Sequence, residues 1–83
     1  MRETVTVGEL ATVLHESCHV LLARALKVLG EERCVEILAE TLTCEAEGGM
    51  WLQDGSRKRT LGGIFLQLCR EGATPEEKHA IFR

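Results

Sequence analysis

Apolar residues in this chain recur at spacings of three and four, and glycines interrupt the recurrence. This period matches the ~3.6 residues of a helical turn, whereas a half-buried strand alternates at every second residue. The only proline, Pro75, lies near the end, so most of the backbone is free to be helical. The pattern predicts an all-α fold, a small compact bundle of about five helices. We place them at residues 5–15, 16–29, 31–47, 61–71 and 75–82.

Signals for helix ends support this division. Thr6, followed three residues later by Glu9, predicts a capping box at the first helix. Gly30 and the pair Gly48-Gly49 stand where glycine commonly ends a helix. Thr74-Pro75 followed by two glutamates is typical of a helix start.

One face of each helix is expected to contribute to a shared core built mainly of aliphatic residues. The four cysteines show no Cys-x-x-Cys spacing and are expected to be free, mostly buried thiols. The residues predicted to face inward are Leu10, Val13, Leu14, Cys18, Leu21, Leu22, Ala25, Leu26, Val28, Leu29, Cys34, Val35, Leu38, Thr41, Leu42, Leu61, Ile64, Phe65, Leu68, Ala80, Ile81 and Phe82.

The length and composition fit one ordered domain. The chain has 83 residues, 45% hydrophobic and 28% charged, so we expect a single domain over 1–83 with a loose N-terminus at 1–5. The net charge of −3 argues against a uniformly basic nucleic-acid binder. The longest apolar run, 20–23, is too short to cross a membrane, and residues 1–10 lack the apolar core of a secretory signal. We therefore expect a soluble monomer without membrane contact or cofactor.

A basic loop lies between the third and fourth predicted helices. Residues 50–59 are predicted to form a loop or a short hairpin, with a two-residue turn at Asp54-Gly55. Because an isolated hairpin is only marginally stable, we expect a partly mobile loop. Arg57, Lys58 and Arg59 follow the turn directly. Such a run suits phosphate binding, but solvated basic loops are common and weakly specific, so both interpretations stay open.

The helix after this loop begins with glycines. Thr60 is a plausible N-cap, and Ser56 precedes the cations in the same loop. Gly62 and Gly63 lie in the first turn, where we expect unpaired backbone N–H groups without a Cβ to shield them. Unpaired N–H groups and the positive end of the helix dipole favour an anion such as phosphate.

Three further residues are candidates for the same surface. Trp51, the only tryptophan, is interpreted either as a lid on the small core, which we favour slightly, or as a platform for an unpaired base. Arg24 and Lys27 lie on the polar side of the second helix. They are typical of a solvated face, but they would extend a phosphate track if that helix packed beside the loop.

The charges are unevenly distributed along the chain. Residues 30–47 hold six acids against Arg33, whereas residues 48–72 hold four cations against two acids. This asymmetry can steer an anionic partner to one side of the molecule. It also supports an alternative function, a helical protein-interaction domain that uses the acidic face of the third helix.

The segment His15-Glu16-Ser17-Cys18-His19 matches the His-Glu-x-x-His pattern of zinc enzymes. Zinc binding through His15 and His19 is therefore a remote alternative. Against it, the segment falls at the predicted break between two helices, and a small helical chain has little room for a third ligand and a substrate cleft. We predict that the protein is not an enzyme.

Residues 45–82 resemble the RNA-binding domain of the phosphorylated adaptor for RNA export. That family places Gly-Gly before a short apolar run and then Asn/Asp-Gly-Ser-Arg-Arg/Lys-Arg-Thr-Pro-Gly-Gly-Val/Ile-Phe-Leu. Residues 48–66 here read GGMWLQDGSRKRTLGGIFL, with Leu61 in place of the proline. Because proline pre-sets a helix start, a looser junction is expected at this position.

The resemblance implies a compact helical domain that binds single-stranded RNA with little sequence preference. It implies a part in small nuclear RNA export, in the nucleus with shuttling to the cytoplasm, and export-machinery contacts only outside this domain. The RNA-binding residues that it implies are Ser56, Arg57, Lys58, Arg59, Thr60, Gly62 and Gly63.

Overall fold

The computed structural model describes residues 6–14 and 18–82, and within them the chain forms five helices. They are α1 (Val7–Leu14), α2 (His19–Leu29), α3 (Glu31–Ala46), α4 (Leu61–Gly72) and α5 (Pro75–Phe82). The predicted all-α architecture is confirmed, with boundaries that differ by a few residues. In these parts of the chain, no helix is long and apolar enough to cross a membrane.

Helices α2 and α4 contribute much of the buried core, and between them they contact the other three helices. Helix α2 packs against α1, α3 and α5, while α4 packs against α3 and α1. Phe65 of α4 is the largest fully buried side chain, and Ile81 anchors α5 with an equally buried side chain. The cluster consists of Leu10, Ala11, Leu14, Leu22, Ala25, Leu29, Cys34, Phe65, Cys69 and Ile81. Because Phe65 lies one turn into α4, the core fixes the helix end that carries the basic loop.

Helix caps account for the element boundaries. At α1 the Glu9 N–H donates to Thr6 Oγ1 (3.2 Å), and the Thr6 N–H donates to a Glu9 carboxylate oxygen (3.0 Å). Thr74 and Glu77 form the same reciprocal pair at α5, at 2.9 and 3.1 Å. The Gly30 N–H donates to the Leu26 carbonyl, and its φ of 91° lets the chain pass directly from α2 to α3. The capping predictions are therefore confirmed.

The prediction that Val13, Val35 and Leu42 face inward is wrong. They are 43%, 42% and 45% exposed, respectively. Cys34 and Thr41 of α3, predicted together with them, are buried as expected. Val35 and Leu42 each directly follow one of these two buried residues, a rotation of about 100° around the helix axis. Apolar spacing alone did not distinguish the two adjacent faces.

Arg33 joins three helices. Its Nη1 lies 3.0 Å from Glu77 Oε2 on α5, and its Nη2 donates to the Gly72 carbonyl at the end of α4 (2.9 Å). The Thr74 backbone N–H and then the Arg33 guanidinium lower the pKa of the Glu77 carboxyl. Arg33, the one cation among the six acids of residues 30–47, therefore ties α3 to α4 and α5.

Because two thiols are buried, we predict that the free energy of unfolding decreases at high pH. Cys34 and Cys69 are free and fully buried, and burial raises the pKa of Cys34 and raises that of Cys69 from 9.0 to about 12. Between these two values the unfolded Cys69 loses its proton while the folded one keeps it, so alkaline pH favours unfolding. This contribution is complete below pH 9.0 and is lost towards pH 12, with a slope of at most about 1.4 kcal/mol per pH unit. Denaturant unfolding measured from pH 8 upward should show that the free energy of unfolding declines less steeply in Cys69→Ala than in the wild type. An equal decline in the two proteins would contradict the assignment of this pH dependence to Cys69.

Candidate nucleic-acid interface

The candidate interface begins where two glycines end α3. Gly48 and Gly49 have φ of 117° and 85°, values that L side chains rarely adopt. The Gly49 N–H donates to the Cys44 carbonyl (2.9 Å), and the Gly48 N–H donates to that of Glu45 (3.2 Å). This bonding closes the helix in a Schellman arrangement and turns the chain towards the basic loop.

Residues 50–59 form a short antiparallel hairpin. Trp51 and Lys58 are bridge partners. The Leu52 N–H donates to the Arg57 carbonyl (2.9 Å), and the Arg59 N–H donates to the Met50 carbonyl (2.6 Å). Of the two alternatives, a loop or a short hairpin, the structure forms the hairpin, and its connection has four residues, 53–56, where a two-residue turn was expected. The Gly55 N–H, bonded to the Leu52 carbonyl at 2.9 Å, closes this wider turn.

Trp51 and Lys58 form the outer face of the hairpin. Directly paired residues of antiparallel strands project to the same side. The Lys58 ammonium nitrogen lies 5.8 Å from the centre of the Trp51 ring, within cation–π range. Trp51 is 57% exposed. The favoured interpretation of Trp51 as a core lid is therefore wrong, because the hairpin holds the ring outside the core.

Arg59 lies on the other face of the hairpin, beside Leu52. These two residues, with Gln53 and Asp54, line a surface concavity of about 340 Å³. Arg59 Nε is buried and has no hydrogen-bond partner. Alternate residues of a strand point to opposite faces. The three adjacent cations therefore do not lie on one surface: Lys58 is on the Trp51 face, and Arg57 and Arg59 are on the opposite face.

Asp54 organises the tip of the hairpin. One of its carboxylate oxygens accepts the Ser56 N–H (3.0 Å) and the Ser56 hydroxyl (2.8 Å). The Ser56 backbone N–H, then its hydroxyl, and more weakly the Arg57 charge lower the pKa of the Asp54 carboxyl. The predicted site residue Ser56 is thus engaged within the tip, and an anionic carboxylate lies among the cations.

The start of α4 corrects part of the predicted phosphate site. Thr60 is the N-cap, as expected, and its Oγ1 accepts the Gly63 N–H at 3.1 Å. Gly62 is buried. The expectation that the Gly62-Gly63 N–H groups stand unpaired is therefore wrong at Gly63, whose donor the cap already uses. Leu61 occupies the first helical position and packs against the core cluster.

Arg24 and Lys27 are not joined to this loop by any described contact. Arg24 Nη1 donates to the Ile81 carbonyl near the end of α5 (3.4 Å), and Lys27 is exposed in the last turn of α2. Their predicted extension of a phosphate track stays a prediction.

Part of the zinc pattern, His15 and Glu16, lies outside the described residues. Cys18 has a non-helical backbone (φ −86°, ψ 79°), and His19 begins α2. Among residues 6–14 and 18–82, no three His, Cys, Asp or Glu side chains group as metal ligands.

Sequence reasoning missed the pairing of Trp51 with Lys58 and the concavity beside Arg59. The pairing was available from the sequence, because the predicted two-residue turn at Asp54-Gly55 has the same centre as the observed connection 53–56. Both turns pair Leu52 with Arg57 and Trp51 with Lys58. The alternation of side chains along a strand then places Arg59 on the face opposite Lys58.

The five helices and the exposed basic hairpin form a small all-α domain, and comparison with known proteins identifies its family. The chain belongs to the family described as "Phosphorylated adapter RNA export protein, RNA-binding domain", whose model matches residues 6–83. This is a family of binding domains and not of enzymes.

Curated relatives carry the same description. The chain is 39% identical over 70 residues to the phosphorylated adapter RNA export protein of Mus musculus and 36% identical over 70 residues to that of Homo sapiens. Identity to the Gallus gallus protein is 34% over 76 residues. These alignments cover 84–92% of this chain but only 18–19% of the relatives. The chain therefore spans less than a fifth of the length of these proteins.

Proposed function

We propose that this domain binds single-stranded RNA through the hairpin of residues 50–59, with little preference for sequence. The observation that carries the proposal is the exposed Trp51 ring beside the Lys58 ammonium group, held by a hydrogen-bonded hairpin in a chain of an RNA-binding family. An unpaired base stacks on an exposed aromatic ring, whereas bases of a duplex are already stacked. The arrangement thus favours single strands.

In this proposal the cations bind the RNA backbone. Arg57 and Lys58 are both exposed. Lys58 neutralises a phosphate next to the base that stacks on Trp51, and Arg57, which pairs with Leu52, neutralises a phosphate on the opposite face of the hairpin. Arg59 binds a further phosphate or a base edge from the concavity on the other face, where its Nε lacks a partner. Phosphate contacts carry no sequence information, and stacking tolerates every base, so binding has little sequence preference. Thr60 contributes by capping α4, which fixes the hairpin relative to the core.

A place in RNA export follows from the relatives. They are described as RNA export adapters, and a single-stranded RNA-binding module suits the cargo-binding part of such an adapter. We propose small nuclear RNA as the natural cargo, a nuclear location with shuttling to the cytoplasm, and a monomeric domain. Contacts with export machinery would lie in other parts of such a protein.

A titration with labelled RNA tests this function. A single-stranded oligonucleotide without secondary structure should bind more tightly than a duplex of equal length. With three or four phosphates neutralised, log K should fall against log salt with a slope of roughly −2 to −3. Emission from Trp51, the only tryptophan, should change on binding because its ring stacks on a base. Equal affinity for duplex, with unchanged emission, would refute the single-strand mode.

Matched charge reversals locate the contacts. On single-stranded nucleic acid each neutralised phosphate contributes about −0.7 to the slope of log K against log salt, so at 0.1 M salt it raises affinity about fivefold relative to 1 M salt. Arg57→Glu and Lys58→Glu should therefore each weaken the binding of every tested sequence by at least about fivefold. Lys78→Glu is the control, because it changes the net charge equally at an exposed lysine of α5. A similar loss in Lys78→Glu would show only a dependence on net charge, and the hairpin assignment would fail.

A further inference from the structure

Helix α3 presents an apolar stripe that the domain leaves uncovered. Val35, Ala39, Leu42 and Ala46 are all exposed, and Val35 and Leu42 are two of the five large hydrophobic side chains that are exposed among the described residues. Their spacing of four, three and four places them along one line of the helix. At ~1.5 Å per residue the line extends for about 17 Å. We name these four residues the α3 stripe.

A row of carboxylates runs beside the α3 stripe. Glu36, Glu40 and Glu47 each directly follow a stripe residue, and Glu32 precedes them by one turn. All four are exposed, and no described cation forms a salt bridge with them. Glutamates at i, i+4 repel one another by a few tenths of a kcal/mol per pair. The helix thus keeps a row of like charges that its own fold does not neutralise.

These two features specify the chemistry of one partner. A helical face with apolar residues at spacings of three and four packs against a second helix with the same period. The small side chains of Ala39 and Ala46 allow such a helix to approach closely. The adjacent carboxylates favour lysine and arginine on the partner's corresponding flank and repel RNA. A concavity of about 530 Å³, lined by Glu31, Glu32, Val35 and Glu36, adds a recess at the N-terminal end of the stripe.

We propose that the α3 stripe is a docking surface for an amphipathic, basic helix of a partner protein. The partner helix places apolar side chains on the α3 stripe and its cations against Glu32, Glu36, Glu40 and Glu47. This surface uses none of the hairpin residues 50–59, so the domain can hold RNA and a partner helix on separate surfaces.

A designed peptide tests the proposal with a defined probe. The probe is a labelled helix with leucines at heptad spacing and lysines on one flank; a second peptide carries glutamates in place of the lysines. The lysine peptide should bind, should weaken as salt rises, and should shift amide NMR signals of 35–46 while leaving 50–59 unchanged. The glutamate peptide should not bind. Absence of binding, or shifts confined to the hairpin, would overturn the proposal.

Protein variants complete the test. Val35→Ser with Leu42→Ser should weaken the lysine peptide by about tenfold, as expected for central apolar contacts of an interface. Val20→Ser is the control for surface valines, since Val20 is 58% exposed on α2. An equal loss in Val20→Ser would overturn the assignment to α3. A molecular mass that rises with protein concentration and reverts in the double variant would assign the stripe to a second copy and refute the proposed partner.

Discussion

Replacing Phe65 by alanine is expected to bring the domain close to unfolding. Phe65 is fully buried and is the largest side chain in the core cluster. Its truncation leaves a cavity and should cost about 3–5 kcal/mol. A domain of this size has a total stability of roughly 4–12 kcal/mol, so the loss is a large fraction of the whole. Thermal unfolding should show a decrease in Tm of about 15–30 °C.

Phe82→Ala provides the matched control, because it removes the only other phenylalanine. Phe82 is half-buried in the last turn of α5, with the Arg70 guanidinium carbon 4.1 Å from its ring centre. Its truncation removes less buried surface and should lower Tm by clearly less than Phe65→Ala. Equal decreases would mean that the core is not centred on α4, and that the hairpin is held by other contacts.

The helical frame could be predicted because its signals are local. Thr6 with Glu9, and Thr74 with Glu77, lie within one turn of each other and form the expected capping pairs. Which apolar face is buried depends on packing between helices, which the apolar spacing does not contain. For that reason Val35 and Leu42 were assigned to the core although they are exposed.

The position of the candidate site along the chain could be predicted from the sequence, but the arrangement of its side chains was predicted only in part. The basic run and the glycine-rich helix start marked residues 55–65, and the family resemblance supported them. The predicted turn at Asp54-Gly55 already implies that Trp51 faces Lys58, and the observed four-residue connection, with its Asp54–Ser56 hydrogen bonds, keeps this pairing. The Gly63 N–H was expected to be available, yet a threonine that caps a helix must use such a donor. Both outcomes follow from predicted features, the turn at Asp54-Gly55 and the Thr60 cap, whereas the buried Nε of Arg59 depends on packing that the sequence pattern does not specify.

Gly49→Ala is expected to weaken RNA binding without removing any positive charge. Gly49 has a φ of 85°, and a Cβ there would lie 3.2 Å from Glu45 Oε1 and 3.4 Å from Lys58 Cδ. Left-handed backbone costs an L residue about 1–2 kcal/mol, and the Glu45 carboxylate must shift slightly to admit the Cβ, whereas the contact with Lys58 is an ordinary van der Waals contact. When the hairpin moves to relieve this strain, the arrangement that binds RNA becomes the less populated of two states. A difference of about 1–2 kcal/mol between these states lowers the affinity for single-stranded RNA by about 5–30-fold. A fluorescence titration with the oligonucleotide used for the wild type measures this loss.

Gly72→Ala is the matched control for the glycine replacement. Gly72 ends α4, and a Cβ there would meet nothing within 4 Å. This variant should keep wild-type RNA affinity, and alanine's higher helix propensity should leave its stability equal or slightly greater. If Gly49→Ala also bound RNA as tightly as the wild type, the cations would act as a flexible chain and a preformed hairpin would not be required. A loss confined to Gly49→Ala would instead tie affinity to the backbone geometry that holds Trp51 and Lys58 together, because both variants retain every cation of the loop.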